Sequence, residues 1–433
     1  MALGVTPDYT AVTSYLFGLK STHGLKFGID RMRLFAAALD HPEQRQSFIH
    51  VAGTNGKGSV VAMLDAILHA AGWHTGMYTS PHLVKLGERV QVDRTPLTED
   101  EITAYVTELR PIAETLAKGN PDDHPSFFEF MTAMALLQFR RRQCDIALLE
   151  VGLGGRLDAT NIITPEITVI TSIGMDHCEM LGTTYAAIAG EKAGIIKQGI
   201  PVVVGRVPPE AETVIRARAA ELGSPLRSVR EEFGEEVTHY PHTNLEGDYQ
   251  RWNAATATLT ARVLGERWRI TEQAIVDGLT HVDWPGRWQR VKLGNRLLIL
   301  DASHNPEGAE VLESNLRSLV AETGRKPVVI TGVLGTVRAR PLLATIAQHA
   351  SAIHLVVPHQ PRATSQSDLA ALIPAEYKGT VTHTDLPSLF PSADQCTAGE
   401  ADDVIVVTGS IYLIGEVMTL LGPQVGEGHL QDF

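Results

Sequence analysis

Phe48-Ile49-His50-Val51-Ala52-Gly53-Thr54-Asn55-Gly56-Lys57-Gly58-Ser59 is the stretch that decides how the rest of the chain is read. A candidate strand, Phe48–Val51, enters a glycine-rich loop, and the loop opens into Val60, Met63, Leu64, Ile67 and Leu68 at helical spacing. Strand, glycine loop and helix in that order make a phosphate cradle. The glycines let backbone N–H groups approach oxygens, a helix N-terminus follows, and Lys57 brings a point charge. The loop departs from the general form G-x-x-x-x-G-K-[ST]: Val51 stands where the first glycine belongs, Gly58 follows the lysine, and the hydroxyl arrives one position later at Ser59. A plain glycine turn ahead of a helix is the alternative.

Outward from this loop, short β-branched runs alternate with helical patterns, which predicts an α/β fold built on parallel sheets covered by helices. Further candidate strands are Ile146–Val151, Ile167–Thr171 and Pro201–Val204, then Leu297–Asp301, Val328–Thr331, Ile353–Val357 and Val404–Thr408. At 433 residues the chain exceeds the roughly 250–300 at which one core stops growing, so two domains are expected. The boundary falls near Pro285-Gly286, a pair that continues neither helix nor strand. The tail after Gly422 reads as frayed.

Composition excludes several classes. With 44% hydrophobic and 20% charged residues the chain can bury a substantial core. No apolar run reaches the ~18 residues of a membrane span, and the start lacks a basic region followed by an apolar stretch, so a cytoplasmic location is expected. A formal charge of −13, with no basic cluster interleaved with aromatics, argues against nucleic acid as a partner. Cys144, Cys178 and Cys396 are scattered and odd in number, against a disulfide framework or a cysteine zinc site.

Ligands of open parallel sheets bind beyond the carboxyl ends of strands. There the sequence places Glu150, then Ser172-Ile173-Gly174-Met175-Asp176-His177, then Asp301-Ala302-Ser303-His304-Asn305, then Gly409-Ser410. Glu150 ends an apolar strand, where a carboxylate needs a neutralising partner such as a phosphate-bound metal, or else simple solvation. His177 is open to three readings: metal ligand, base or satisfied loop histidine. Glu191-Lys192, in a helical stretch, reads on its own as a solvated ion pair.

Taken together, the glycine loop, Ser80-Pro81-His82-Leu83, Phe128-Glu129-Phe130, Glu150-Val151-Gly152-Leu153-Gly154-Gly155-Arg156-Leu157-Asp158-Ala159-Thr160-Asn161, Gly174-Met175-Asp176-His177, Glu191-Lys192-Ala193-Gly194-Ile195, Pro285-Gly286-Arg287 and Asp301-Ala302-Ser303-His304-Asn305-Pro306 resemble the folylpolyglutamate synthase and dihydrofolate synthase family of the Mur ligase superfamily. The resemblance implies an N-terminal P-loop ATPase domain with a mostly parallel sheet over residues 1–286, and a smaller, Rossmann-like glutamate-ligase domain over 287–433. It implies an ATP-dependent ligase adding L-glutamate to dihydropteroate, or to the glutamate tail of a reduced folate, through an acyl phosphate. Thr54, Asn55, Gly56, Lys57, Gly58, Ser59, Asn253, Arg287 and Asp301 would contact ATP. Ser80, Glu150, His177 and a carbamoylated Lys192 would hold magnesium, two ions in all. A carbamate makes chemical sense there, because an ammonium group cannot bind a cation.

By the same resemblance Lys57, Lys192, His177 and His304 carry the catalysis, with His304 and Ser410 near the incoming glutamate. The Gly152–Asn161 segment offers a flexible backbone and the cationic Arg156 to an anionic substrate or phosphate, and Arg156 and Asp158 are expected to bind substrate. The pteroate pocket lies near Lys26-Phe27-Gly28-Ile29-Asp30-Arg31, with Phe128 and Phe130 to stack on the pterin, although Arg31 reads equally as a helix-end residue. Closure of the two domains would exclude water from the acyl phosphate. A monomer acting on small molecules is expected. One departure stands out: Leu334-Gly335-Thr336-Val337-Arg338-Ala339-Arg340-Pro341 replaces an acidic, lysine-rich turn of many relatives. Two other functions compete, a wall-building ligase of the same fold and a nucleotide switch; His304-Asn305 and Ser410 speak against the switch, which needs no second substrate cleft.

Overall fold

A computed structural model describes residues 8–23 and 28–422 of the chain. Lys26, Phe27 and the tail after Gly422 lie outside the described residues. The chain divides into two compact units: one runs to His242 and resumes over Trp252–His281, the other takes Thr243–Arg251 and runs on from Val282. Local bonds explain why 243–251 groups with the second unit. Asn244 exchanges two hydrogen bonds with the Val282 backbone at 2.9 and 3.1 Å. Arg290 pairs with Glu246 at 2.9 Å and with Glu322 at 2.7 Å.

The first unit is built on eight strands: β1 (Ser47–Ala52), β2 (Thr75–Tyr78), β3 (Val90–Val92), β4 (Thr95–Pro96), β5 (Ile146–Glu150), β6 (Ile167–Ile170), β7 (Val202–Val204) and β8 (Leu226–Ser228). Their order is β4-β3-β2-β5-β1-β6-β7-β8, all running one way except β3, which pairs antiparallel with both β2 and β4. Central parallel strands are covered on both faces and therefore read as largely apolar runs, which is why β5, and β1 apart from His50, are legible. Helices α1 (Tyr9–His23), α2 (Asp30–Ala38), α4 (Glu99–Leu116) and α5 (Phe127–Arg141) share one core with Phe48, Ala147 and Leu149. Helix α3 (Lys57–Ala70) follows the glycine loop and packs on β1, β2 and β5. Helix α6 (Tyr185–Ala193) lies over β6 and β7, and α7 (Glu272–Leu279) lies on α3.

The second unit has strands β9 (Gln289–Leu293), β10 (Arg296–Asp301), β11 (Val328–Thr331), β12 (Ala352–Leu355), β13 (Thr380–His383) and β14 (Ile405–Thr408), in the order β13-β12-β11-β14-β10-β9 with only β9 antiparallel. Helices α8 (Pro306–Thr323) and α9 (Thr336–His349) share a core with Ile299, Val329, Ile353 and Val406, while α10 (Ile411–Leu421) packs on β14 and β10. The departing stretch Leu334–Pro341 forms the entry to α9: Gly335 takes a left-handed φ of 84° and Val337 is 86% exposed. Among the described residues no helix is long and apolar enough to cross a membrane.

The contact of α7 with α3 leaves no room at Gly278, where a Cβ would stand 2.5 Å from the Ile67 Cα and 2.6 Å from its nitrogen. Alanine in a helix ordinarily gains roughly 1 kcal/mol over glycine. Here backbone meets backbone, so Gly278→Ala should instead lose about 1–3 kcal/mol in denaturant unfolding; a stabilised variant would show that the two helices separate freely.

Candidate active site

Parallel strands β5, β1 and β6 lie side by side, so the segments leaving their carboxyl ends are neighbours. From β1 comes the glycine loop. Gly56, at φ 81°, precedes α3, and no side chain caps the helix. The first N–H groups of α3 therefore face outward with the partial positive charge of the helix end, an arrangement suited to phosphate. Lys57 donates to the Thr54 carbonyl at 3.1 Å, and the Asn253 side chain abuts Gly56: a Cβ there would lie 2.3 Å from Asn253 Oδ1.

The β6 exit clasps the loop from behind. Thr54 N–H donates to Ser172 O and Asn55 N–H to Ser172 Oγ, both at 2.9 Å. Thr171 and Ser172 hydroxyls donate to Asn55 O at 2.7 and 2.9 Å, and Gly174 N–H to Thr54 Oγ1 at 2.9 Å. The sequence signal for these hydroxyls is Thr171-Ser172 itself, at a strand end beside the glycine strand.

Glu150 ends β5 only 5% exposed. It accepts from Ser80 N–H at 3.0 Å and stands 3.9 Å from Lys57 Nζ. Lys192 of α6 is buried and donates to Gly53 O at 2.8 Å. Desolvation, with the Lys57 charge in support and Asp176 and Asp158 opposing, lowers its ammonium to about 7. Its sequence neighbour Glu191 pairs instead with Arg156 at 2.9 Å, so the adjacent charges of Glu191-Lys192 form no ion pair with each other. His177, at φ 52°, begins a short helix, its N–H donating to Asp176 Oδ1 at 2.8 Å.

Asp158 is enclosed by its own loop. Gly152 and Leu153 N–H reach Oδ2 at 3.0 Å each, and Thr160 N–H and Oγ1 reach Oδ1 at 3.0 and 2.5 Å. Burial nevertheless raises the carboxyl above its ordinary range. Phe128 is half-buried beside Tyr78 and against Gly152. Phe130 is fully buried between Tyr15 and Phe35 and has no surface to offer a pterin. The pairing of the two rings as a stacking site is thus corrected: residues two apart on a helix point to different sides. Arg31 lies 3.3 Å from Glu129, the residue that closes the cap of α5.

In the second unit β10 and β14 are neighbours, and Gly409 N–H donates to Ser303 O at 3.1 Å, tying their exits together. Asp301 is 1% exposed; burial raises its carboxyl, opposed by Ser303 and by Arg287. His304 Nδ1 lies 2.9 Å from the Ala302 carbonyl, which assigns a proton to Nδ1. Ser410 is buried and accepts from Tyr412 N–H at 3.2 Å, capping α10.

Comparison with known proteins matches residues 51–204 to the Mur ligase middle domain and 286–411 to the Mur ligase glutamate ligase domain. A folylpolyglutamate synthase from Lacticaseibacillus casei is 36% identical over 408 residues, covering 89% of this chain and 92% of that one. The chain belongs to the Mur ligase family, in its folylpolyglutamate and dihydrofolate synthase branch. A dihydrofolate synthase/folylpolyglutamate synthase from Bacillus subtilis is 35% identical, covering 94% of this chain and 98% of its own. The Escherichia coli protein FolC, solved in complex with DHPP and ADP, superposes with a TM-score of 0.80 at 31% identity, over 96% of this chain and 99% of that one. The two-sheet α/β architecture expected from the sequence is the architecture of this branch.

The cradle reading of the family's glycine loop is open to a direct test. Gly56→Ala adds a Cβ at a left-handed φ and into Asn253 Oδ1. The fold should persist while ATP affinity, read by calorimetry, falls about ten-fold or more; unchanged affinity would mean that phosphate binds elsewhere.

Proposed function

We propose that this ATP-dependent ligase joins L-glutamate to the carboxylate of dihydropteroate, or to the tail of a reduced folate, releasing ADP and phosphate. The observation that carries the reading is the grouping, at three adjacent strand ends, of an uncapped helix N-terminus, Lys57, Glu150 and a buried Lys192. The chain would act as a monomer of the cytoplasm, with small molecules as its partners.

The donor chemistry fits magnesium. The ion takes oxygen ligands, keeps several waters and needs only one or two carboxylates beside the substrate phosphates. No three His, Cys, Asp or Glu side chains among the described residues form a metal cluster of their own. Glu150, Ser80, His177 and a carbamate on Lys192 are the residues that would hold it. When bound, the metal neutralises charge on the phosphates.

The N–H groups of α3 and Lys57 hold the phosphates while the acceptor carboxylate oxygen attacks the γ-phosphorus and the bond to ADP breaks. Thr171 and Ser172 keep the cradle in shape meanwhile. The glutamate amine then attacks the acyl carbon of the resulting acyl phosphate, phosphate leaves, and His304 would take the amine proton. Arg287 and Asp301 contribute ATP contacts, and Ser410 lies at the glutamate end. On the acceptor side the reading keeps Phe128 and the Gly152–Asp158 loop, with Asp158 and Arg156 shaping it.

Two measurements test this. Phosphate release with ATP and magnesium should require both a pterin acceptor and glutamate; release with neither would favour a nucleotide switch. The second concerns Lys192. Carbon dioxide reacts with the neutral amine, and an ammonium group lowered to about 7 is half neutral near that pH, whereas an ordinary lysine is not. At fixed carbon dioxide pressure, a carbamate resonance from labelled gas should therefore grow between about pH 6 and pH 8 and be absent in Lys192→Ala. Activity of that variant should return in part with a small added carboxylate. A signal that persists in Lys192→Ala would assign the carbamate elsewhere.

A further inference from the structure

One buried polar chain reaches from the glycine-loop strand to the acceptor side. His50 lies on β1 three residues before Gly53 and is wholly buried. Its Nε2 is 2.8 Å from Thr160 Oγ1, and Thr160 Oγ1 is 2.5 Å from Asp158 Oδ1. The other oxygen of Asp158 holds the N–H groups of Gly152 and Leu153. Gly152 in turn carries the Phe128 ring so closely that a Cβ would stand 2.5 Å from Phe128 Cζ.

The direction of the chain follows from its ends. Asp158 accepts four bonds, so the Thr160 hydroxyl proton points to it, and the Thr160 oxygen must itself accept from His50. That requires the proton on His50 Nε2 and a bare Nδ1, and Nδ1 is indeed without a hydrogen-bond partner. Burial, helped by the Lys197 charge, pushes the imidazole down to about 3, so it stays neutral and keeps this tautomer at any ordinary pH. Lys197 holds the far side of the same loop through Asn161 O and Oδ1 at 2.9 and 2.8 Å.

We infer that His50, acting through Thr160 and Asp158, is a positioning residue for the pterin acceptor: it sets the Gly152–Leu153 backbone beneath Phe128, although its strand leads into the ATP loop. The inference rests on the acceptor-side reading of Phe128 given above. A buried histidine that merely filled space would make no distinction between the two substrates.

The test uses the full chain and compares KM for ATP with KM for the pterin acceptor. Asparagine places its amide nitrogen near Nδ1 and cannot reach Thr160, whereas glutamine places it near Nε2 and can. His50→Asn and Thr160→Val should each raise the acceptor KM about ten-fold with the ATP KM little changed, and His50→Gln and Thr160→Ser should restore most of it. The double variant His50→Asn/Thr160→Val should be no worse than the weaker single one, since both cut one chain. Equal losses for ATP and acceptor, or a His50→Asn enzyme like the wild type, would overturn the proposal. If His50→Asn does not fold, the Thr160→Val and Thr160→Ser pair carries the same comparison with His50 intact. Nitrogen NMR of the unmodified protein should report His50 protonated at Nε2, and an Nδ1–H tautomer would overturn the relay without any turnover being measured. Loss of acceptor-dependent phosphate release in the wild type would instead remove the ligase reading, so the two failures are separable.

Discussion

The register of β1 between β5 and β6 is the constraint on which the site depends. Val51 pairs with Glu150 on one side and with Val169 on the other. This sets the carboxylate of Glu150 level with the start of the glycine loop, and the hydroxyls of Thr171 and Ser172 level with Thr54 and Asn55. A slip of one residue would turn every side chain of β1 to the opposite face, taking Phe48 out of its core and His50 away from Thr160. The apolar interior that fixes the register therefore also aims the polar groups, and the two cannot be varied independently.

Burial of charge comes next in importance, and its consequences differ from residue to residue. Asp158 has four donors on two oxygens, yet desolvation still outweighs them and raises its carboxyl. Lys192 has three protons to donate but bonds one carbonyl, Gly53 O. With so little compensation the ammonium form is disfavoured, and the group is brought to where proton loss is easy. The same burial that makes a cation costly makes a neutral, nucleophilic amine accessible. An exposed lysine in an ion pair, as Glu191-Lys192 reads in sequence, has neither property.

Much of this was legible in sequence where burial imposes a simple pattern. Short apolar and β-branched runs marked β1, β5, β6, β7, β10, β11, β12 and β14 to within a residue or two at each end. The remaining strands, β2, β3, β4, β8, β9 and β13, show no such run. Thr75-Gly76-Met77-Tyr78 carries a glycine, which packs on the Phe139 ring, and β13 is largely exposed, so neither shows the run that a doubly covered strand does. In the site, chemistry attached to a strand end was readable as a class of residue, but the partner of each was not. Phe128 and Phe130 look equivalent in sequence, and only the path of α5 sends one to Gly152 and the other into the core. The Thr171, Ser172 and Thr160 hydroxyls carry no such signal, because each meets a residue made adjacent by the sheet, between 110 and 117 positions away.

The missing first glycine of the phosphate motif now has a physical explanation. That glycine serves where the chain must already be turning, but Val51 is still strand: it pairs with both neighbours, and its carbonyl accepts the Val151 N–H at 2.9 Å. The turn begins at Gly53, and its shape is then held by bonds from the β6 exit to Thr54 and Asn55. A β-branched residue is favourable in the strand position and would be unfavourable in the turn. The loop reaches α3 through Gly56, the one position where a left-handed φ and the Asn253 side chain leave no room for a Cβ. Clasping hydroxyls on β6 thus do part of what glycines do in the general motif.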